Sequence, residues 1–462
     1  MIRMLSILVL MLASGVGLGA PPQRSTEEIS ARIASAEPGG TVSVEAGVYV
    51  GNLVIDRSIV LVGEAGAVID GGGKGTVIEV IAPGVTVRGL TVRGSGKTVG
   101  REYSGIHVTA PDAVIEHNTL EDVYFGIDLK EAPRSIIRHN TITGKDLEQA
   151  RRGDGIRLWW CHGSTVEDNT VRQSRDMVFW YSEDLRIARN SVEGCRYGLH
   201  FMYSHRTTLE ANELTGNSVG IYLMYSNEIH LVNNRMLNNR GASGYGIGLK
   251  DCDGIVVEGN TLLANRVGIY LDNSPSSVDS VGLVAGNSIA YNEIGLLATP
   301  NTHDNVITGN AFVENEEQAA THGRGELSRN TFAKEGVGNF WSDYAGFDGD
   351  GDGIGDLAYE PRSLFSALLS REPNLRLFAH SPAQQAVEFT ARALPELRPR
   401  PTLVDPAPLT RRPQTGTAPA AVETTGGPMA ALGFGLIAFS AVCWVGLGRE
   451  PGPGRVTRRV AA

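Results

Sequence analysis

RIARNSVEGCRYGLHFMYSHRTTLEAN, residues 186–212, holds two short apolar strands that each end in Asn, at Asn190 and Asn212, 22 residues apart. Between them Gly198 opens an apolar-x-apolar strand, GLHF. Outward from this stretch the same beat continues, with Asn at 118, 140, 169, 190, 212, 234, 260, 287, 310 and 330 and Gly-led strands at 105, 126, 155, 198, 220, 246, 268 and 295. A period this short excludes repeats of helical pairs. Strands of period two with Asn or Gly at the corners predict a right-handed, single-stranded parallel β-helix, one coil per repeat. Asn tolerates the left-handed backbone of a tight corner, and stacked Asn side chains hydrogen-bond from coil to coil.

The strand-turn texture begins near Thr41, so the β-helix is expected over residues 37–335, about 13 coils and a rod of about 60 Å at about 4.8 Å per layer. The excess over the shortest coil must leave as loops, expected at residues 145–152, 240–245 and 275–279. Residues 21–36 read as an N-terminal cap: Ser25 and Glu28 form a capping-box pattern, and Ile29 and Ile33 share one helical face. A C-terminal cap is expected over 336–393, followed by a Pro-rich tether over 394–428.

Residues 1–20, with Arg3, an apolar run and Gly19-Ala20 before Pro21, read as a secretory signal peptide. Residues 429–447 are uncharged and apolar, long enough to cross a hydrocarbon core of about 30 Å. The basic tail 448–462 would keep the C-terminus cytoplasmic and the β-helix outside, in the periplasm. A formal charge of −10 argues against a nucleic-acid partner. Cys161 and Cys252 fall in one column four coils apart, about 19 Å by coil spacing, beyond disulfide reach; with Cys195 they are expected as free thiols.

In each Gly-led strand the middle residue points outward, which gives a column His107, Asp128, Arg157, Phe179, His200, Tyr222, Gly248, Tyr270, Leu296. Two residues on, Trp159, Tyr181, Met202 and Met224 share that face. Contiguous exposed aromatics and Met mark a partner surface. Thioethers and imidazoles also select soft metals, so Met202, Met224, His200 and His205 are candidate ligands for transient copper. Asp348, Asp350, Asp352 and Asp356, in DGDGDGIGD, fall at positions 1, 3, 5 and 9 of a calcium loop whose position 12 is Tyr359. A glycan hydrolase or lyase needs two acids facing each other across a bond. Asp154 and His162 are the nearest candidates, and structural turns explain them better.

GDGIRLWWCHGSTVEDN, RDMVFWYSEDLRIARN and YGLHFMYSHRTTLEAN, between residues 153 and 212, resemble the NosD family of periplasmic maturation factors for nitrous-oxide reductase. The resemblance runs from about residue 38 to 364. It implies a non-enzymatic β-helix protein that sits on an ABC transporter, its permease and ATPase. It also implies work with a copper-chaperone lipoprotein to assemble the reductase's copper-sulfide centre. On this reading Phe179, Trp180, Tyr181, Tyr203 and Tyr225 are the expected partner contacts. A carbohydrate-active β-helix, polysaccharide lyase, epimerase or glycan-binding module, is the alternative.

Overall fold

A computed structural model describes residues 23–414, apart from Val99, Arg324, Ser370 and His380. The expected signal peptide, membrane span and basic tail lie outside the described residues. No helix among the described residues is long and apolar enough to cross a membrane.

The chain winds into three parallel sheets of 14, 12 and 12 strands, and each coil adds one strand to each sheet. The inward residues are Ile, Leu and Val in continuous stacks, and they form one core along the solenoid. A strand Gln23–Ser25 pairs with Gly47–Val50. Helix α1 (Glu27–Ser35) then lays Ile29 and Ile33 into the first coils. The capping box does not form: Thr26 is the N-cap residue, and Ser25 Oγ accepts from Glu27 N instead.

The Asn repeat works through side chains. From Asn118 to Asn310 each rung donates its backbone N–H and Nδ2 to Oδ1 of the next Asn, at 2.8–3.1 Å. The left-handed residue is the one before each Asn, as at His117, His139, Asp168, Arg189, Ala211 and Asn233. The last rung is Asn339; Asn330 instead pairs with Asn305 in another column. A second ladder, Asn217, Asn239, Asn265, Asn292 and Asn315, runs along another corner. The Gly that opens each strand answers a close approach and not a left-handed turn: a Cβ at Gly198 would meet the Gly220 carbonyl oxygen at 2.6 Å.

Beyond the last coil, helices α2 (Leu364–Leu369) and α3 (Pro382–Ala393) pack together. The described part of the expected tether is not a free linker. Leu403 and Asp405 are buried, and residues 405 and 409 bridge to Tyr359, Phe340 and Ile354. Asp405 Oδ2 closes the Asn ladder, accepting from Asn339 N, Asn339 Nδ2 and Trp341 Nε1.

Candidate functional site

The sheet that contains strand Tyr197–Met202 carries the expected outer face, and its register is explicit. One outward column runs Asp128, Arg157, Val178, His200, Tyr222, Gly248, Tyr270, Leu297. The next runs Lys130, Trp159, Trp180, Met202, Met224, Lys250, Asp272. Phe179 and Leu296 therefore point inward, contrary to expectation. Phe179 is 0% exposed and stacks on Phe201 at 4.7 Å, so it meets no partner. The cause is local: strand Asp176–Trp180 has no opening Gly, and a one-residue irregularity separates the Asp176/Tyr197 and Val178/His200 pairs.

Met202 and Met224 lie side by side on adjacent strands, each half-buried. His200 is only 6% exposed. Its Nδ1 faces Asp176 Oδ2 at 3.4 Å, an electrostatic contact longer than a good hydrogen bond. Neither ring nitrogen of His200 makes a hydrogen bond, and Trp180 Nε1 is likewise buried without a partner. The Trp180 and Tyr197 rings pack near-perpendicular to the imidazole, with centroids 5.6 and 4.8 Å away. His205 lies around the corner, where its Nδ1 accepts the Asn227 N–H at 3.1 Å.

At that corner Trp160, Tyr181, Tyr203 and Tyr225 occupy successive left-handed positions, φ +57°, +51°, +52° and +52°. Their rings form a continuous stack with spacings of 5.0, 5.4 and 5.0 Å. Trp160 and Tyr203 are 47% and 42% exposed. The flanking coils also take a left-handed residue here, at Glu131, Asp251 and Asn273, so what sets this stretch apart is the run of four aromatics. The sequence reading missed Trp160, although the Trp159-Trp160 doublet straddling a corner was its signal. Tyr181, expected beside the methionines, is in this corner stack, and Trp180 takes its place in the methionine column.

Buried acids flank the strip, and the sequence reading missed that two of them, Asp154 and Asp176, lie on adjacent coils. Each is held by arginine: Asp154 by Arg175 at 2.9 and 3.0 Å, Asp176 by Arg196. Burial pushes Asp154 up to about 6. Burial would also raise Asp176, but the nearby His200 imidazole and the Arg196 hydrogen bonds outweigh it and hold the carboxyl low. Both are 1% exposed or less. His162 Nδ1 accepts from Glu183 N, a turn contact. Sealed, arginine-clamped carboxylates are poorly placed for acid–base work on a glycan.

Residues 139–346 match the family model described as "Periplasmic copper-binding protein (NosD)". A protein of Pseudomonas aeruginosa named "Probable ABC transporter binding protein NosD" is 36% identical over 391 residues, 82% of this chain and 90% of that protein. The chain belongs to the NosD family. A second member, from Stutzerimonas stutzeri and with the same printed name, is 32% identical over 88% of this chain and 94% of its own length. Among solved structures, the A-modules of the mannuronan C-5 epimerases AlgE6 and AlgE4 of Azotobacter vinelandii resemble this NosD-family chain with TM-score 0.51 and 16% identity. Each similarity covers 68% of the chain and 96% or more of the module. At that identity the likeness is one of fold alone.

In this NosD-family chain the acidic loop gathers three of its four expected ligands. Oxygens of Asp348, Asp350 and Asp352 lie within 4.8 Å of one another, while Asp356 Oδ2 accepts from Gly349 N. Tyr359, the twelfth position, is buried against Trp341 at 4.6 Å and offers no ligand. Cys161, Cys195 and Cys252 are free and buried, and burial pushes the Cys161 thiol up to about 11.

Proposed function

We propose that this chain is a periplasmic accessory protein for assembling the copper-sulfide centre of nitrous-oxide reductase, and that it acts as a docking and copper-handover platform on an ABC transporter. The observation that carries the reading is the outward strip of Met202, Met224 and His200 beside the corner stack, inside the stretch that the copper-binding family model matches. Copper is the cargo, and the residues suit it: soft thioethers and a buried imidazole nitrogen with no other partner. Few ligands, two of them half-buried thioethers, hold Cu(I) loosely enough for exchange with a chaperone lipoprotein on one side and the reductase on the other. His205, tied to the backbone through Nδ1, contributes through Nε2 or not at all.

Trp180, Tyr181, Tyr203 and Tyr225 form the docking surface for the transporter's permease, whose ATPase works on the cytoplasmic side. The apolar segment 429–447 would hold the protein at the inner membrane. A carbohydrate-active role has weaker support, because the acids nearest the strip are sealed by arginines and the corner rings stack on each other, presenting edges and not faces to a sugar.

The test is a strain lacking this chain. Exported reductase without its copper-sulfide centre, restored by the wild-type gene and not by Met202→Leu/Met224→Leu, is the expected result. A fully loaded, active reductase in the deletion strain would overturn the proposal.

A further inference from the structure

His200 is more than nine-tenths buried, yet neither ring nitrogen makes a hydrogen bond: Nδ1 has only its electrostatic contact with Asp176, and Nε2 meets no donor or acceptor. Leaving a buried polar nitrogen unpaired costs about 1–3 kcal/mol, so such a group is normally matched by something. Its surroundings say what. On one side Asp176 Oδ2 faces Nδ1 at 3.4 Å, and the carboxylate is itself fixed by Arg196 and by the Tyr197 N–H at 3.1 Å. A carboxylate behind one ring nitrogen favours the proton there and leaves the other lone pair free, the arrangement found behind metal-bound histidines.

Trp180, Met202 and Met224 occupy three successive rungs of one outward column, next to the column that holds His200. Neighbouring rungs are about 4.8 Å apart, and His200 stands two residues, about 6.6 Å, from Met202 on the same face. Met side chains are long, unbranched and adaptable, so both thioethers can reach the space beside Nε2. The indole that borders this space touches His200 at 5.6 Å. Its Nε1 has no partner, so packing alone holds the ring.

We infer that Trp180 and Asp176 complete the copper site as non-ligating members: the Trp180 ring caps a Cu(I) ion bound by Met202, Met224 and His200, and Asp176 positions the imidazole. This rests on the copper reading above. The face of an indole attracts a cation through its quadrupole and supplies no lone pair. It therefore excludes water from the coordination position it covers and favours a monovalent soft ion of low coordination number over Cu(II), which takes tetragonal nitrogen and oxygen ligands. Asp176 is a positioning residue and touches no copper.

The experiment titrates the full chain with Cu(I), without oxygen, against a chromophoric Cu(I) chelator while tryptophan emission is followed. The variants are Trp180→Phe, Asp176→Asn and the double variant Met202→Leu/Met224→Leu, each checked for the wild-type far-UV circular dichroism. Expected are one Cu(I) per wild-type chain and quenching of the emission that Trp180→Phe removes. Affinity should fall about 3- to 30-fold in Trp180→Phe and about 10- to 100-fold in Asp176→Asn. If Trp180→Phe keeps wild-type affinity and the wild-type fraction of quenching while the double Met variant loses copper, the capping inference is overturned and the copper reading stands. If the wild type takes up no Cu(I), or the double Met variant binds it equally well, the copper reading itself is overturned. Because Phe keeps an aromatic ring between Trp159 and His200, this variant remains informative even if Asp176→Asn fails to fold.

Discussion

Replacing Asn212 by Ala removes one rung of the ladder from the coil next to the Met202/Met224 pair. Asn212 is 0% exposed and its side chain makes four hydrogen bonds: Oδ1 accepts from Asn190 N and Nδ2, both at 3.0 Å, and Nδ2 donates to Ile187 O and Asn234 Oδ1, both at 2.9 Å. At about 1 kcal/mol net for each bond the loss is about 4 kcal/mol, since the Ala side chain offers no replacement. A solenoid unfolds in local units, so one global midpoint is a poor reporter. The sharper assay is native-state hydrogen exchange at the Asn190 amide, whose acceptor is the deleted oxygen. A local loss of about 3–4 kcal/mol accelerates its exchange about 150- to 800-fold. Amides of the first coils, near Val44, should be unaffected. An Asn190 amide that exchanges within about fivefold of wild type would refute the side-chain ladder as the source of coil stability.

Tyr203→Gly relieves a left-handed residue, worth about 1 kcal/mol, but loses two stacked ring contacts worth about 0.5–1.5 kcal/mol each. Melting should shift little while affinity for the transporter complex, measured by co-purification or interferometry, falls at least about tenfold; undiminished binding would remove the corner stack from the docking surface. Burial alone would raise Asp128, but the close His107 imidazole and hydrogen bonds from Arg157 hold it below the usual carboxylate range. A carboxyl depressed in the folded state stabilises above its unfolded value near 4 and loses that contribution as the pH falls through its folded value. Denaturation between pH 2 and 5 should show stability dropping with acid, about 1.4 kcal/mol per pH unit for this one proton, and Asp128→Asn should flatten the slope; equal slopes would count against it. Calcium at about 1 mM should protect the Asp348–Asp352 loop from proteolysis and Asp350→Asn should abolish that protection; identical digestion with and without calcium would dismiss a site there.

The solenoid was legible because every coil repeats the same strand-corner grammar, and even the shared column of Cys161 and Cys252 follows from it: their amides donate to Ser182 and Ser274 in one inward corner series. The left-handed residue was harder to place, since Asn suits both a bent backbone and a side-chain ladder, and only coordinates separate the two uses. The second ladder did leave a trace, an Asn five residues after each rung at 217, 239, 265, 292 and 315. Phe179 was misplaced because its coil lacks the opening Gly on which the alignment hung. The Asp176–His200 contact and the arginine clamps pair residues a full coil apart, and the folding back of residues 402–410 joins positions more than 60 apart. Periodicity in sequence carries no information about either.

The ladder of amides has a direction: every rung gives hydrogens toward the C-terminal end and takes them from the N-terminal side. A further amide in the last place would again display unsatisfied hydrogens to the outside, an invitation for the first coil of another molecule to continue the stack. Asp405, which accepts at both oxygens and offers no hydrogen when ionised, ends the series chemically. A side chain supplied from 66 residues downstream of Asn339 thus adds a chemical stop to the ends that the terminal helices already cover.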